Sequence, residues 1–351
     1  MANPTTLSAS SSPSPSSTAV RVLQIGPLPL PALNDELAQL YAVSVLSEQA
    51  DPAQFLAEQG AEFQYVMTSA NMGLSANVVN ALPNLRFVSS FGVGFDKLDK
   101  DSLLARGVRV GYTPGVLDDC VADMAFALLL DAARQVSAGD RFVRAGKWAR
   151  NERRSPATKV SGKRIGILGL GRIGSQIALR AQGFQMSVGY HNRHAIAGSS
   201  HTYFESLEQL AQWCDFLVIA AAGGDATRHL VDAKVLQALG PGGFLVNIAR
   251  GTVVDEQALL LALQNGGIAG AGLDVFENEP HPLPGLLAQD NVVLSPHTAS
   301  GTNETRRAMA DLALENLRSC IDSGKPVQEV PWSVDAAAGA GAVAAHKPTG
   351  G

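Results

Sequence analysis

The sequence predicts an α/β protein of two parallel-sheet domains, one inserted into the other, and three observations predict it. Short β-branched runs alternate with amphipathic stretches along most of the chain. The alternation comes as two series separated by one long helical segment. At 351 residues the chain also exceeds one ordinary domain, so two compact units of roughly 100 to 200 residues are expected.

In the first series RVLQIG (21–26), YAVSVL (41–46), QYVMTS (64–69), LRFVSS (85–90) and VRVGYT (108–113) each read as a strand. Strands that alternate with helices are joined by crossovers, so they lie parallel with helices on both faces of the sheet. The segment 118–148 has no proline and is rich in helix formers, and it is expected as one long helix between the domains. Its apolar run is too short to span a membrane. A second series opens at Lys163 with KRIGILG, MSVGYHN, DFLVIAA, GFLVNIAR, GAGLDVF and NVVLSPH. The stretch 302–324 then reads as a helix, with Thr302 as N-cap and Gly324 at its end, on which the chain crosses back. The expected outer domain is therefore 19–113 plus 298–332, and the inserted domain is 114–297. The Ser/Pro-rich 1–18 and Ala/Gly-rich 333–351 are expected as disordered tails outside the core.

Composition narrows the function. With 46% hydrophobic and 17% charged residues the chain is an ordinary globular one. A net charge of -5 gives no long-range pull toward nucleic acid or an anionic membrane, so the partners are small molecules or protein. Cys120, Cys214 and Cys320 form no C-x-x-C pair, which speaks against a disulfide scaffold and a zinc site and fits a reducing cytoplasm. The start lacks the basic and apolar regions of a secretory signal, and no stretch holds 18 uninterrupted apolar residues, so the protein is read as soluble and cytoplasmic.

Gly169, Gly171 and Gly174 form G-x-G-x-x-G after the strand IGILG and before the helix RIGSQIALRA, which is the context a dinucleotide site requires. The inserted domain is therefore expected to be Rossmann-like. Its glycines let the backbone approach a pyrophosphate, whose charge is favoured by the N–H groups of Arg172, Ile173 and Gly174 at the helix start. An NAD-specific site places a carboxylate about 20 residues further on for the ribose 2′-hydroxyl. Here that place reads YHNRH, without an acid, while His191, Arg193 and Arg172 offer donors and positive charge to a 2′-phosphate. NADPH is therefore expected over NADH. A solvated strand end bearing Arg193 and His191 is the plainer alternative.

Three further signals sit at strand ends: Arg250 in NIARG, Glu279 in DVFENEP and His297 in SPH. Ligands gather at the carboxyl ends of parallel strands, so these residues can converge. Reduction of a 2-oxo acid needs a hydride at the carbonyl carbon, a proton for its oxygen and a fixed cation for its carboxylate. An imidazole titrates near working pH, and a carboxylate partner such as Glu279 would hold His297 protonated. Arg250 suits the anion. Singly, each also reads as an unremarkable loop or strand-end residue.

SSFGVGFDKLD (89–99), GVRVGYTPGVLDDCVADMA (107–125), GKRIGILGLGRIG (162–174), NIARGTVVDE (247–256), GAGLDVFENEP (270–280) and LSPHTASGT (294–302) together resemble the D-isomer-specific 2-hydroxyacid dehydrogenases, over about 20–332. Within that family the chain looks most like the NADP-dependent glyoxylate and hydroxypyruvate reductases, with Arg193 at their strand-end arginine. The resemblance implies a nucleotide-binding domain inserted in a flavodoxin-like substrate domain. It implies that Arg250 binds the substrate carboxyl and carbonyl, that Glu279 supports His297, and that His297 is the acid in reduction to the D-2-hydroxy acid. Asp274 would hold the nicotinamide carboxamide, and Ile248 belongs with the cofactor contacts. Backbone amides of Val93 and Gly94 would take the substrate carboxylate, with Asn71 and Met72 on a neighbouring loop. It further implies a homodimer built on 118–148, with Trp148 either reaching the partner's substrate cleft or capping its own core, and closure about hinges near 113–117 and 297–301.

Where the family has Pro-Leu-Thr this chain reads AAGGDATRH (221–229), which unsettles the contact to ribose and nicotinamide; a flexible turn is one reading of Gly223 and Gly224. Related substrates stay open: 2-ketogluconate, aryl pyruvates, formate, phosphite and lactate, although Glu279 before Pro280 speaks against formate. A different class also stays open, a non-catalytic NAD(P)(H)-sensing protein like the C-terminal-binding corepressors, for which no peptide groove is evident.

Overall fold

The computed structural model describes residues 20–332; the stretches expected as tails, 1–18 and 333–351, lie outside them. The chain divides into two compact units, one running to Thr113 and resuming at Ala310, the other spanning Pro114–Met309.

In the first unit five strands, β1 (Arg21–Gln24), β2 (Ala42–Val45), β3 (Tyr65–Ser69), β4 (Phe87–Phe91) and β5 (Arg109–Gly111), pair in the order β2-β1-β3-β4-β5, all parallel. This is the flavodoxin-like winding. In four of the five runs the branched residues bury fully, and Val22, Leu23, Val66, Val88 and Val110 join Phe63, Val79 and Leu103 in the core, while β2 at the sheet edge is half-buried. The helix Asn303–Ser323 seats on this sheet through polar side chains. Buried Ser89 donates to the Ala313 carbonyl at 2.8 Å, and buried Asn316 donates to the Tyr112 carbonyl at 2.9 Å and accepts from the Gln328 N–H at 2.8 Å.

In the second unit seven strands follow: β6 (Arg164–Leu168), β7 (Ser187–His191), β8 (Thr202–Tyr203), β9 (Phe216–Ile219), β10 (Phe244–Asn247), β11 (Gly270–Leu273) and β12 (Val292–Leu294). Their order is β12-β11-β10-β9-β6-β7-β8, again parallel throughout. Winding outward in both directions from its first strand is the Rossmann arrangement with one strand added. The helix Asp118–Arg134 lies directly on β11, where a Cβ at Gly272 would stand 2.8 Å from the Leu128 Cβ.

Three expectations change. The two-residue strand β8 went unseen, being too short and polar to show a period. The segment 118–148 is two helices, Asp118–Arg134 and Val136–Arg144, broken at Gln135 with φ 56°. The break comes from Asp131, whose carboxylate accepts from the Ser137 N–H at 2.8 Å and from the Ser137 hydroxyl, capping the second helix. The chain also returns to the first unit at Ala310, within a helix, and not at 298. Residues 298–309 stay with the second unit because the Asp274 carboxylate holds the N–H groups of Thr298 and Ala299, and the Cys120 thiol donates to the Ala299 carbonyl. Thr302 caps that helix as expected, accepting from the Thr305 N–H at 3.2 Å. Among the described residues no helix is long and apolar enough to cross a membrane.

Candidate active site

The glycine-rich turn follows β6 and leads into the helix Arg172–Gly183. Gly169 has φ 95°, and a Cβ there would come 2.7 Å from the Ala221 nitrogen. A Cβ at Gly174 would meet the Gly169 carbonyl at 2.2 Å, whereas Gly171 faces open space. The first helical bond runs from Ser175 N–H to the Gly171 carbonyl at 2.9 Å, which leaves the N–H groups of Arg172, Ile173 and Gly174 to a ligand. Uncrowded backbone donors at a helix N-terminus fit the pyrophosphate of a dinucleotide. The sequence reading missed Asn192, whose side-chain oxygen accepts from the Leu170 N–H at 2.8 Å and so ties the end of β7 to the turn.

At the end of β7 the His191 Nδ1 lies 2.9 Å from the Phe204 carbonyl, while Arg193 is exposed. The Arg172 guanidinium turns toward Gly115. There it lies in the field of Asp118, whose carboxyl is pushed above the usual range by burial, a rise that Arg172 opposes. Arg172 thus serves the turn through its backbone, with its charge matched by a carboxylate.

Arg250, Glu279 and His297 follow the adjacent strands β10, β11 and β12. The turn that carries Arg250 is set by Asn247, another residue the sequence reading passed over: its oxygen accepts from Ala249 N–H at 3.0 Å and its nitrogen donates to the Arg250 carbonyl at 2.9 Å. Ile248 between them is buried. Arg250 Nη1 donates to the Ala249 carbonyl at 2.8 Å, and the next residue must be glycine, since a Cβ at Gly251 would overlap the Phe276 carbonyl carbon at 1.8 Å. Gly223 has a packing duty and is no mere slack turn: a Cβ there would lie 2.5 Å from the Arg250 Cγ.

Glu279 is anchored by the Phe276 N–H, which donates to Oε1 at 3.1 Å. Its Oε2 accepts from His297 Nδ1 at 2.8 Å. A carboxylate can only accept, so Nδ1 carries a proton, which leaves Nε2 as the ring nitrogen open to a ligand. Asp274 is fully buried, and its carboxylate accepts from the Ser295 hydroxyl at 2.6 Å and from the Thr298 and Ala299 N–H groups, both at 2.9 Å. Its carbonyl accepts the His297 N–H at 2.8 Å, which helps hold His297 at φ 55°. The geometry therefore gives Asp274 the His297 loop to hold, a duty the expectation of a nicotinamide contact did not include. Beside this pair, buried Glu256 accepts from the Glu277 N–H at 2.8 Å, and its carboxyl is pushed up by burial and by the charges of Glu277 and Glu279.

In the first unit, Val93 and Gly94 follow β4, and their N–H groups take no protein acceptor among the described residues. Gly92 before them has φ 137° and exchanges hydrogen bonds with Thr113, N–H to hydroxyl at 3.0 Å and carbonyl to N–H at 2.9 Å. Across β3, Asn71 and Met72 sit in a turn closed by Gly73 (φ 70°), whose carbonyl accepts from the Thr68 hydroxyl at 2.7 Å. The Met72 N–H is spent on the Ser69 carbonyl, so Met72 offers its exposed side chain only. Trp148 is 69% exposed, which removes the reading that it caps its own core.

Residues 126–299 match the family model described as D-isomer specific 2-hydroxyacid dehydrogenase, NAD binding domain. The hydroxyphenylpyruvate reductase of Plectranthus scutellarioides is 43% identical over 309 residues, 88% of this chain and 98% of that protein. The 2-ketogluconate reductase of Gluconobacter oxydans is 46% identical over 252 residues, 72% of this chain and 81% of that one. An NADPH-dependent glyoxylate/hydroxypyruvate reductase from Sinorhizobium meliloti, solved in complex with NADP and malonate, superposes with a TM-score of 0.85 at 38% identity, covering 90% of this chain and 98% of the other.

Proposed function

As this chain belongs to the D-isomer-specific 2-hydroxyacid dehydrogenases, we propose that it reduces a small 2-oxo acid of the glyoxylate and hydroxypyruvate type to the D-2-hydroxy acid, with NADPH preferred over NADH. It is an NAD(P)-dependent oxidoreductase. The observation that carries the proposal is the Glu279–His297 pair, 2.8 Å apart in the same unit as the glycine-rich turn.

The nicotinamide, when bound, supplies a hydride to the carbonyl carbon. His297 gives the proton on Nε2 to the carbonyl oxygen, and Glu279, holding Nδ1–H, stabilises the imidazolium before transfer and keeps the ring aligned. Arg250 binds the substrate carboxylate and polarises the carbonyl, its stem resting on Gly223. The N–H groups of Val93 and Gly94 would also bind the substrate carboxylate, as backbone donors suit a planar anion, with Asn71 and Met72 for the substituent. The N–H groups of Arg172, Ile173 and Gly174 would hold the pyrophosphate, Ile248 and Asp274 the nicotinamide end, and His191 and Arg193 the ribose 2′-phosphate. The helix Val136–Arg144 buries none of its residues, and Val136, Val143 and Trp148 are exposed at 62%, 52% and 69%, which supports a homodimer formed through 118–148.

Initial rates with glyoxylate, hydroxypyruvate, 2-ketogluconate and phenylpyruvate, each with NADPH and NADH, test this reading. The expected ranking puts the two small acids with NADPH first. A lead for 2-ketogluconate or phenylpyruvate would move the substrate toward that of the Gluconobacter or Plectranthus relative. No turnover with NADPH still bound would make the chain a sensing protein.

A further inference from the structure

His191 closes β7 about 20 residues beyond Gly171, where an NAD-specific site holds the carboxylate that accepts the ribose 2′-hydroxyl. Its ring is fixed in orientation. Nδ1 stands 2.9 Å from the Phe204 carbonyl, and a carbonyl only accepts, so Nδ1 carries a proton whatever the charge of the ring. The ring also stacks on Tyr203, with centroids 6.5 Å apart and planes within 17°. Turning it over would lose the Nδ1 contact, and swinging it away would lose the stacking. Nε2 therefore points away from the Phe204 carbonyl and takes no protein partner among the described residues. In the neutral ring that nitrogen is a bare lone pair; in the imidazolium it is a donor.

We infer that His191 sets the choice of coenzyme by its proton: neutral, its Nε2 accepts the ribose 2′-hydroxyl of NADH as the missing carboxylate would, and protonated, it donates to the 2′-phosphate of NADPH. The inference rests on the reading of the Arg193 turn as the phosphate site and adds that the site has two states. Arg193 attracts the phosphate at any pH in the working range. His191 presents a lone pair to that anion until a proton arrives, and the anion itself favours the arrival. The charged and titratable groups about the ring are Arg193 and His194 on the turn after β7, Tyr203 beneath the ring, and His201 and Glu205 on either side of β8. Arg172 begins the next helix, with its guanidinium toward Gly115.

The sign follows from which complex holds the proton. NADPH binding takes up a proton at His191, so its affinity falls as pH rises, by at most about tenfold per pH unit. NADH binding prefers the neutral ring and changes in the opposite sense. The 2′-phosphate gains a proton of its own near about pH 6, which weakens NADPH binding below that point in any variant.

Calorimetric titration of the whole protein with NADPH and with NADH, at about pH 7.5 in two buffers of different ionisation enthalpy, reads the proton directly. The expected result is uptake approaching one proton with NADPH and none with NADH. His191→Asn keeps a donor for the Phe204 carbonyl, and its proton uptake with NADPH is expected to vanish while its NADPH-to-NADH affinity ratio no longer falls with rising pH. Equal proton uptake for both coenzymes, or a His191→Asn profile parallel to that of the parent, overturns the inference. Arg193→Ala separates it from the reading beneath it. A selective loss of NADPH binding there, of tenfold or more by the worth of a charge-assisted pair, keeps the phosphate site whatever His191 does. An equal loss of both coenzymes removes the phosphate site as well.

Discussion

The candidate site residues of the two units are made of different material. The turns of the first unit offer backbone N–H groups, and the residues that shape them are glycines: Gly92 at φ 137° and Gly73 at φ 70°. The strand ends of the second unit offer side chains, held by side chains and backbone together: the Asn247 amide sets Arg250, the Phe276 N–H holds Glu279, and Asp274 holds the His297 loop through its carboxylate and its carbonyl. The difference teaches where each half is vulnerable. A side-chain site fails when a functional group is deleted, and a backbone site fails when a methyl is added.

The largest effect belongs to the side-chain half. His297→Asn removes the proton donor and is expected to lower kcat by about 10² to 10⁴, with KM little changed, by stopped-flow or steady-state rates. Glu279→Gln keeps the ring aligned through its amide oxygen but loses the charge that steadies the imidazolium, so its loss of kcat is smaller. If His297→Asn turns over near the parent rate, the second unit is not where the proton comes from, and the comparison breaks.

Next is the backbone half. A Cβ at Gly92 would approach the Ala70 Cβ to 2.5 Å in a conformation that L-residues rarely adopt. Gly92→Ala is therefore expected to raise KM for the 2-oxo acid by about tenfold to a hundredfold, the scale of a displaced binding group, with kcat less affected. Asn71→Ala removes only an exposed side chain and should stay within about twofold. Similar KM values for the two variants would show that the turn does not work through its backbone.

These halves also differ in how far the sequence exposes them. The strands other than β8, the glycine-rich turn and the Glu279–His297 pair were readable, because a β-branched run that buries or a histidine that needs a carboxylate leaves its mark in residue type and spacing. What escaped was what long-range packing decides. Nothing local distinguishes Asn247 or Asn192 from a surface amide until the strands bring Ala249 and Leu170 against them. The helix break at Gln135 hid for a related reason, since Asp131 caps from the preceding turn and not from the usual position. Asp274 stood out in its motif, yet its bonds to Ser295, Thr298 and Ala299 needed the fold.

A seam between the two kinds of construction is Gly223, a glycine that shapes a side chain. Adding a methyl there would press on the Arg250 stem, so Gly223→Ala is expected to lower kcat/KM for the 2-oxo acid by about tenfold while NADPH affinity holds, since only the cation moves. Equal loss of coenzyme affinity would mean that the turn 221–229 acts on the nucleotide instead.

The smallest effect concerns the cost of gathering acids behind the site. Glu256 is 6% exposed, and burial first, then Glu277 and Glu279, push its carboxyl upward, against the Glu277 N–H. A carboxyl raised by folding contributes most at low pH, and that contribution is lost as pH rises through the raised value, so at neutral pH the charge there works against the fold. Glu256→Gln keeps an oxygen for the Glu277 N–H and removes the charge. Its Tm is expected above that of the parent at pH 7 to 8, by the equivalent of about 1 kcal/mol, with the gap closing as pH falls and the parent carboxyl takes up its proton. A Tm below the parent at every pH would mean that the ionised carboxylate is needed to brace the loop carrying Glu279, and the side-chain half would then depend on charge as well as on shape.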